Sequence, residues 1–310
     1  MKRIVYLLIA VLMLGAFDVQ AQKKSRRRSS SKKTTRVVNT KPRVAYKEIS
    51  QNGMKLTYKR IEADAFYKVT DEEKGFSNGY SDNSFAIDWP LTLNGKDAVA
   101  VQNVLLDKFA IPDFETGEVS YRPASVDELV NDRTRCRRFE DAKRVSKIPG
   151  PDPDYCLKEK FDITVYWLTQ SIIGIDIAQD QYLGGGTGAS VYVGSYYLNY
   201  DIENQRELTA DLCFLPGLEN VIAAELQRSP ELWDFLWDEY KSEPFVPTNF
   251  KIEYNAITFF FSKYEIAPGA AGIVDVTIPL ENVLPYASEA FQAVLKKQQG
   301  MAGDCKDPDL

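Results

Sequence analysis

The chain has 310 residues, 44% hydrophobic and 26% charged, with 38 basic and 44 acidic side chains and no histidine. That length suits one large domain or two of ordinary size. The lack of histidine excludes Ser–His and Cys–His nucleophilic catalysis, histidine-ligated zinc and the commonest general base, leaving carboxylates, lysine, tyrosine or cysteine for any chemistry.

Lys2 and Arg3 precede an apolar run from Ile4 to Phe17, and Val19-Gln20-Ala21 presents small residues at signal-peptidase spacing. The run has fourteen residues; a bilayer span needs about 20. Residues 1–21 therefore read as a signal peptide cleaved near Ala21, giving a periplasmic or secreted protein. Residues 22–43 hold ten Lys or Arg, no acid and no aromatic, too little apolar surface to fold, so they read as a disordered basic linker. As a coil the linker reaches roughly 26 Å. It is either a solvated spacer or a peripheral contact with an anionic envelope polymer; nucleic acid is a poor partner for an exported chain. Residues 1–43 hold twelve of the basic residues and one of the acidic ones, so residues 44–310 carry 26 against 43, a net charge of −17. Such a body attracts cationic partners at long range, less so in salt.

Further along, alternation predicts strands over 55–67 and 84–93. After Asn94, a helical stripe of Ala98, Val101, Val104, Leu105 and Phe109 follows. Ser125 and Glu128 form a capping box ahead of a charged helix with a thin apolar seam, part of an insertion near 111–158. Three alternating runs, with Phe161, Ile163, Val165 and Trp167, then Ile173, Ile175 and Ile177, then residues 190–201, read as an antiparallel meander. Leu218, Val221, Ile222 and Leu226 make one helix. Leu232, Phe235, Leu236 and Tyr240, after Pro230, make a second. Residues 249–261 read as a hairpin, 273–278 as a strand and 288–298 as the last helix. The fold class is α+β in two domains, each a small antiparallel sheet packed with helices: residues 44–205 and 206–298, then a flexible tail over 299–310.

Cys136, Cys156, Cys213 and Cys305 are an even set, which in an oxidising compartment allows two disulfides; Cys136 with Cys156 is the most local pairing. The alternative is one bridge plus two thiols. There is no CxxC, no calcium-loop spacing around the two DPD triplets, and no sign of a metal or cofactor. Residues 184–188, GGGTG, lead into a strand and not a helix, so they lack the amide-lined terminus of a phosphate loop and suit a hairpin connection. The alternative role is ligand contact by Tyr182, Gly184, Gly185 and Gly186. The loop after residue 261 reads first as a turn, set by Pro268, Gly269 and Gly272, and second as a recognition rim carrying Tyr264, Glu265 and Pro268.

The stretch 171–214, SIIGIDIAQDQYLGGGTGASVYVGSYYLNYDIENQRELTADLCF, and the stretch 247–286, PTNFKIEYNAITFFFSKYEIAPGAAGIVDVTIPLENVLPY, resemble a pair of uncharacterised exported bacterial domains. These occur alone, in the ectodomain of lysozyme-sensing anti-sigma factors, and in the leading part of some peptidoglycan deacetylases. Members often carry a histidine after the Gly-rich loop, where this chain has Thr187-Gly188. The resemblance spans roughly 44–298. It implies an α+β pair that binds a wall-related partner, wall glycan or a lysozyme-like protein; signalling and deacetylation do not carry over. The reading is a non-catalytic exported binding protein, the alternative a carboxylate-dependent hydrolase of wall polysaccharide.

Overall fold

The computed structural model describes residues 36–39, 41–69, 79–112, 119–131, 156–183 and 190–299, without the side chains at several strand ends. Its larger sheet has nine strands: β1 (Arg36–Asn39), β2 (Arg43–Gln51), β3 (Met54–Val69), β4 (Gly79–Leu93), β5 (Lys96–Asp97), β8 (Cys156–Leu168), β9 (Ile172–Leu183), β10 (Ser190–Asp201) and β11 (Arg206–Glu207). Strands β8, β9 and β10 form the expected meander, each antiparallel to the next. The sheet is neither small nor wholly antiparallel, because β4 pairs with β8 in parallel. A parallel pair needs a long crossover, and residues 94–155 supply it. That crossover carries α1 (Val99–Asp107), the two-stranded β6 (Ile111–Pro112) and β7 (Val119–Tyr121), and α2 (Val126–Asn131).

Period-2 alternation decides what this sheet buries. Ile163 on β8, Ile173 and Ile175 on β9, and Leu198 on β10 join Val101 and Leu105 of α1 and Leu129 of α2 in one apolar core. The predicted capping box is present: Ser125 Oγ accepts from Glu128 N–H at 3.2 Å, and Glu128 Oε2 accepts from Ala124 N–H at 2.8 Å. Asn94 and Gly95 have φ of 48° and 77° and turn β4 into β5, the paired left-handed geometry that Asn-Gly favours.

The second sheet is β12 (Asn249–Ile252), β13 (Ala256–Phe261) and β14 (Val274–Pro279), all antiparallel. Phe259, Phe261, Val276 and Ile278 point into a second core. Short helices cover it: α3 (Ala210–Cys213), α4 (Leu218–Leu226), α5 (Pro230–Phe235), α6 (Asp238–Ser242), α7 (Leu280–Val283) and α8 (Glu289–Gln299). The helix expected across Leu232–Tyr240 is two helices, since Leu236 and Trp237 are extended (ψ 150° and 146°). Trp237 N–H there donates to Ile266 O at 2.9 Å, exchanging a helical bond for a tertiary one.

Two further readings are corrected. Residues 36–39, read as linker, form β1 against Ala65–Lys68. Cys213 is a free thiol, fully buried in the second core, so two disulfides do not form. Burial also pushes that thiol up, away from the reactive thiolate. Cys136, Cys305 and the Cys156 side chain lie outside what is described.

Candidate functional site

The residues that alternate away from the first core form the site. On β8 these are Lys160 and Asp162, on β9 Asp176, Ala178 and Asp180, on β10 Ser195 and Tyr197. The outer face of the second sheet approaches them with Phe260 of β13 and Asp275 of β14. Two sheets meeting through their non-core faces leave a wedge, open at its mouth and polar at its base.

The base is stitched by two asparagines. The outer edge of β10 is open beside Ser195 and Tyr197, because β11 pairs only with Tyr200 and Asp201. Asn249 closes it: its Oδ1 accepts from Tyr197 N–H at 2.9 Å and its Nδ2 donates to Ser195 O at 2.7 Å. The carboxamide thus replaces one residue of a neighbouring strand and satisfies backbone groups that would otherwise cost free energy. Asn199 returns the link, donating to Phe250 O at 2.7 Å and accepting from Tyr166 OH at 2.7 Å. Beside it Lys251 lies 5.3 Å from the Tyr166 ring centroid and 2.8 Å from Glu253, whose other oxygen accepts from Thr258 at 2.9 Å.

Above this base opens a groove of about 420 Å³. Its floor is Tyr197 stacked on Phe260, centroids 4.6 Å apart and planes 31° apart. Tyr166 braces the Tyr197 ring edge-on at 5.5 Å. Asp162, Asp180 and Asp275 stand around the floor with Ile273, and Lys160 is the one lining cation among the described residues. Asp162 pairs with that lysine at 3.1 Å; Asp180 and Asp275 make no ion pair among the described residues. Asp176 sits behind the floor. Burial raises its carboxyl above the usual range, against a hydrogen bond from Ser195 and the charge of Lys251. Burial likewise raises the Tyr197 phenol.

The predicted rim lies next to this groove and not in it. Tyr264 adopts a left-handed φ of 68°, and its ring covers Gly269 so closely that a Cβ there would lie 2.1 Å from Tyr264 Cζ. Glu265 is occupied within its own loop: its Oε2 accepts from Ser262 N–H at 2.6 Å, and burial raises its carboxyl. Pro268 is exposed and sets the entry to the short 3₁₀ turn Gly269–Ala271. A narrow extension of the groove, about 10 Å³, reaches Ser262 and Lys263, so the loop borders the site through its first residues. Tyr182 lies two residues beyond Asp180 on β9. Its side chain, with Gly184, Gly185 and Gly186, lies outside what is described.

Chemically, the groove offers carboxylates, a serine hydroxyl and an aromatic floor. No group of three or more carboxylate or thiol ligands gathers for a metal ion among the described residues. These are the elements of recognition: stacking for a ring or an aliphatic stem, and acceptors for hydroxyl or cationic donors.

A family match falls on the second sheet and its helices. Residues 208–281 match the model of DUF3298, a protein family of unknown function. That stretch contributes Phe260, Ile273 and Asp275 to the groove. The fold is similar to a crystal structure of a DUF3298 family member from Bacteroides fragilis, at 17% identity and a TM-score of 0.50, over 86% of this chain and 98% of that one. A DUF3298 family protein from Pseudomonas aeruginosa matches at 17% identity over 75% of this chain and 95% of its own, with a TM-score of 0.44. No curated protein matches the chain.

Proposed function

We propose that this chain is an exported binding protein of the bacterial envelope that holds its partner in the groove between the sheets without transforming it. Its partner is a cationic lysozyme-like protein or wall glycan. The observation that carries this is the stacked Tyr197–Phe260 floor ringed by Asp162, Asp180 and Asp275. A basic side chain gains there by cation–π contact and by ion pairing, and a sugar ring gains by stacking with its hydroxyls bonded to carboxylates. The excess of acidic over basic residues in 44–310 favours the cationic partner by long-range steering.

The test is calorimetric titration of the full chain with lysozyme, and sedimentation with purified peptidoglycan, each at low and moderate salt. The expected result is binding to one of them, weakened about tenfold or more in a variant combining Asp162→Asn, Asp180→Asn and Asp275→Asn, a loss of about 1.4 kcal/mol. A charge-driven complex also weakens with salt. Absence of binding to both removes the proposal. Hydrolysis by a groove carboxylate is the second reading; muropeptide release from peptidoglycan that vanishes in Asp180→Asn, at an acid lining the groove, would establish it.

A further inference from the structure

Among the described residues, strand β2 leaves one edge open: it pairs only with β3, and seven of its nine residues are exposed, Tyr46 at 76% and Val44 at 50%. Nine residues is long for an edge strand, about 5–6 being usual, and its ladder runs unbroken from Arg43↔Glu62 to Gln51↔Met54. A regular, open edge is a template for another strand.

The turn fixes which backbone groups the edge offers. Asn52 and Gly53, with φ of 50° and 72°, make a two-residue turn of the kind that closes on a hydrogen-bonded pair. Gln51, Ile49, Lys47, Ala45 and Arg43 therefore turn their amides and carbonyls toward β3. Val44, Tyr46, Glu48 and Ser50 turn theirs outward.

We propose that this edge pairs antiparallel with the same strand of a second copy of the chain, about a two-fold axis at Tyr46. Opposed residues in an antiparallel pair must both face each other or both face away, so the axis has to pass through a residue opposite itself. With the axis at Lys47 two ammonium groups are opposed, and at Glu48 two carboxylates. At Ala45, Arg43 meets Lys47. Each of these is unfavourable. At Tyr46 the two phenol rings meet, Val44 opposes Glu48, Ala45 opposes Lys47 and Arg43 opposes Ile49. This seven-residue register is the longest one free of opposed like charges. The site between the sheets begins at β8, beyond β3 and β4 from this edge, so the pairing leaves the groove open.

Sedimentation velocity on the full chain tests the pairing. The expected result is a concentration-dependent dimer that Tyr46→Lys, which opposes two ammonium groups on the axis, weakens at least tenfold. Circular dichroism and melting confirm that the variant is folded. Under oxidation Tyr46→Cys cross-links through position 46 of both copies, because opposed Cα atoms about 5.5 Å apart suit a disulfide. Ser50→Cys, with no counterpart cysteine in this register, does not cross-link through position 50. A chain that stays monomeric up to its solubility limit overturns the proposal. So does a dimer that is unchanged in folded Tyr46→Lys, or one that cross-links through position 50.

Discussion

Asn249 shows how one side chain can do a strand's work. Removing its carboxamide leaves Tyr197 N–H and Ser195 C=O without partners at the base of the wedge. Asn249→Ala is expected to cost about 1–3 kcal/mol in chemical denaturation, the usual penalty for stranded, partly buried polar groups; a change under a few tenths contradicts the assigned role. Asp176 has a different, pH-dependent cost. Its carboxyl is raised in the fold by burial, so the folded state favours the protonated form. That contribution is complete below the unfolded value, about 3.9, and is lost as pH rises through the folded one. Asp176→Asn should therefore raise the melting temperature at pH 7 and bring little change at pH 3. Equal effects at both pH values would show that Asp176 acts through packing. Neither residue was legible in the sequence. Asn249 reads as the polar start of a strand, and Asp176 is one acid among many. Their importance comes from contacts between the first and second sheets, and no local pattern encodes such contacts.

At the scale of elements, legibility followed burial on one face. β8, β9, β10, β13 and β14 each send every second apolar side chain into a core, so their alternation shows in the sequence. β2 buries almost nothing, which removes the alternation. β1 read as linker because the surrounding residues 22–43 are rich in Arg and Lys and hold no aromatic. The split between α5 and α6 was hidden because Leu236 and Tyr240 keep a helical spacing although Leu236 and Trp237 are extended. Where the stripe is real, its cost is measurable. Leu105 of α1 is fully buried against the first sheet, and Leu105→Ala should destabilise by about 2–5 kcal/mol in a denaturant titration. A cost below about 1 kcal/mol would mean that α1 is peripheral to the core. The rim loop, read first as a turn and second as a recognition rim, is a turn beside the groove. Its turn residues were visible, whereas the engagement of Glu265 with Ser262 was not.

For the whole molecule, the α+β class follows from strand and helix patterns that the sequence displays. The sheet's width follows from a parallel β4–β8 pairing that the sequence does not reveal. The groove's walls come from residues 160–197 on one side and 260–275 on the other, joined only by folding. Charge acts at the same scale. In the proposed function, the net charge of −17 over residues 44–310 draws a cationic partner toward the molecule, and Asp162, Asp180 and Asp275 are the groups proposed to hold it. The measurement that bears most directly on this account is titration of the full chain with lysozyme at low and moderate salt, beside sedimentation with peptidoglycan, comparing the natural chain with the triple aspartate variant. The account predicts binding that the three substitutions weaken about tenfold or more, with no sugar released. Binding untouched by all three, or turnover of the glycan, contradicts it.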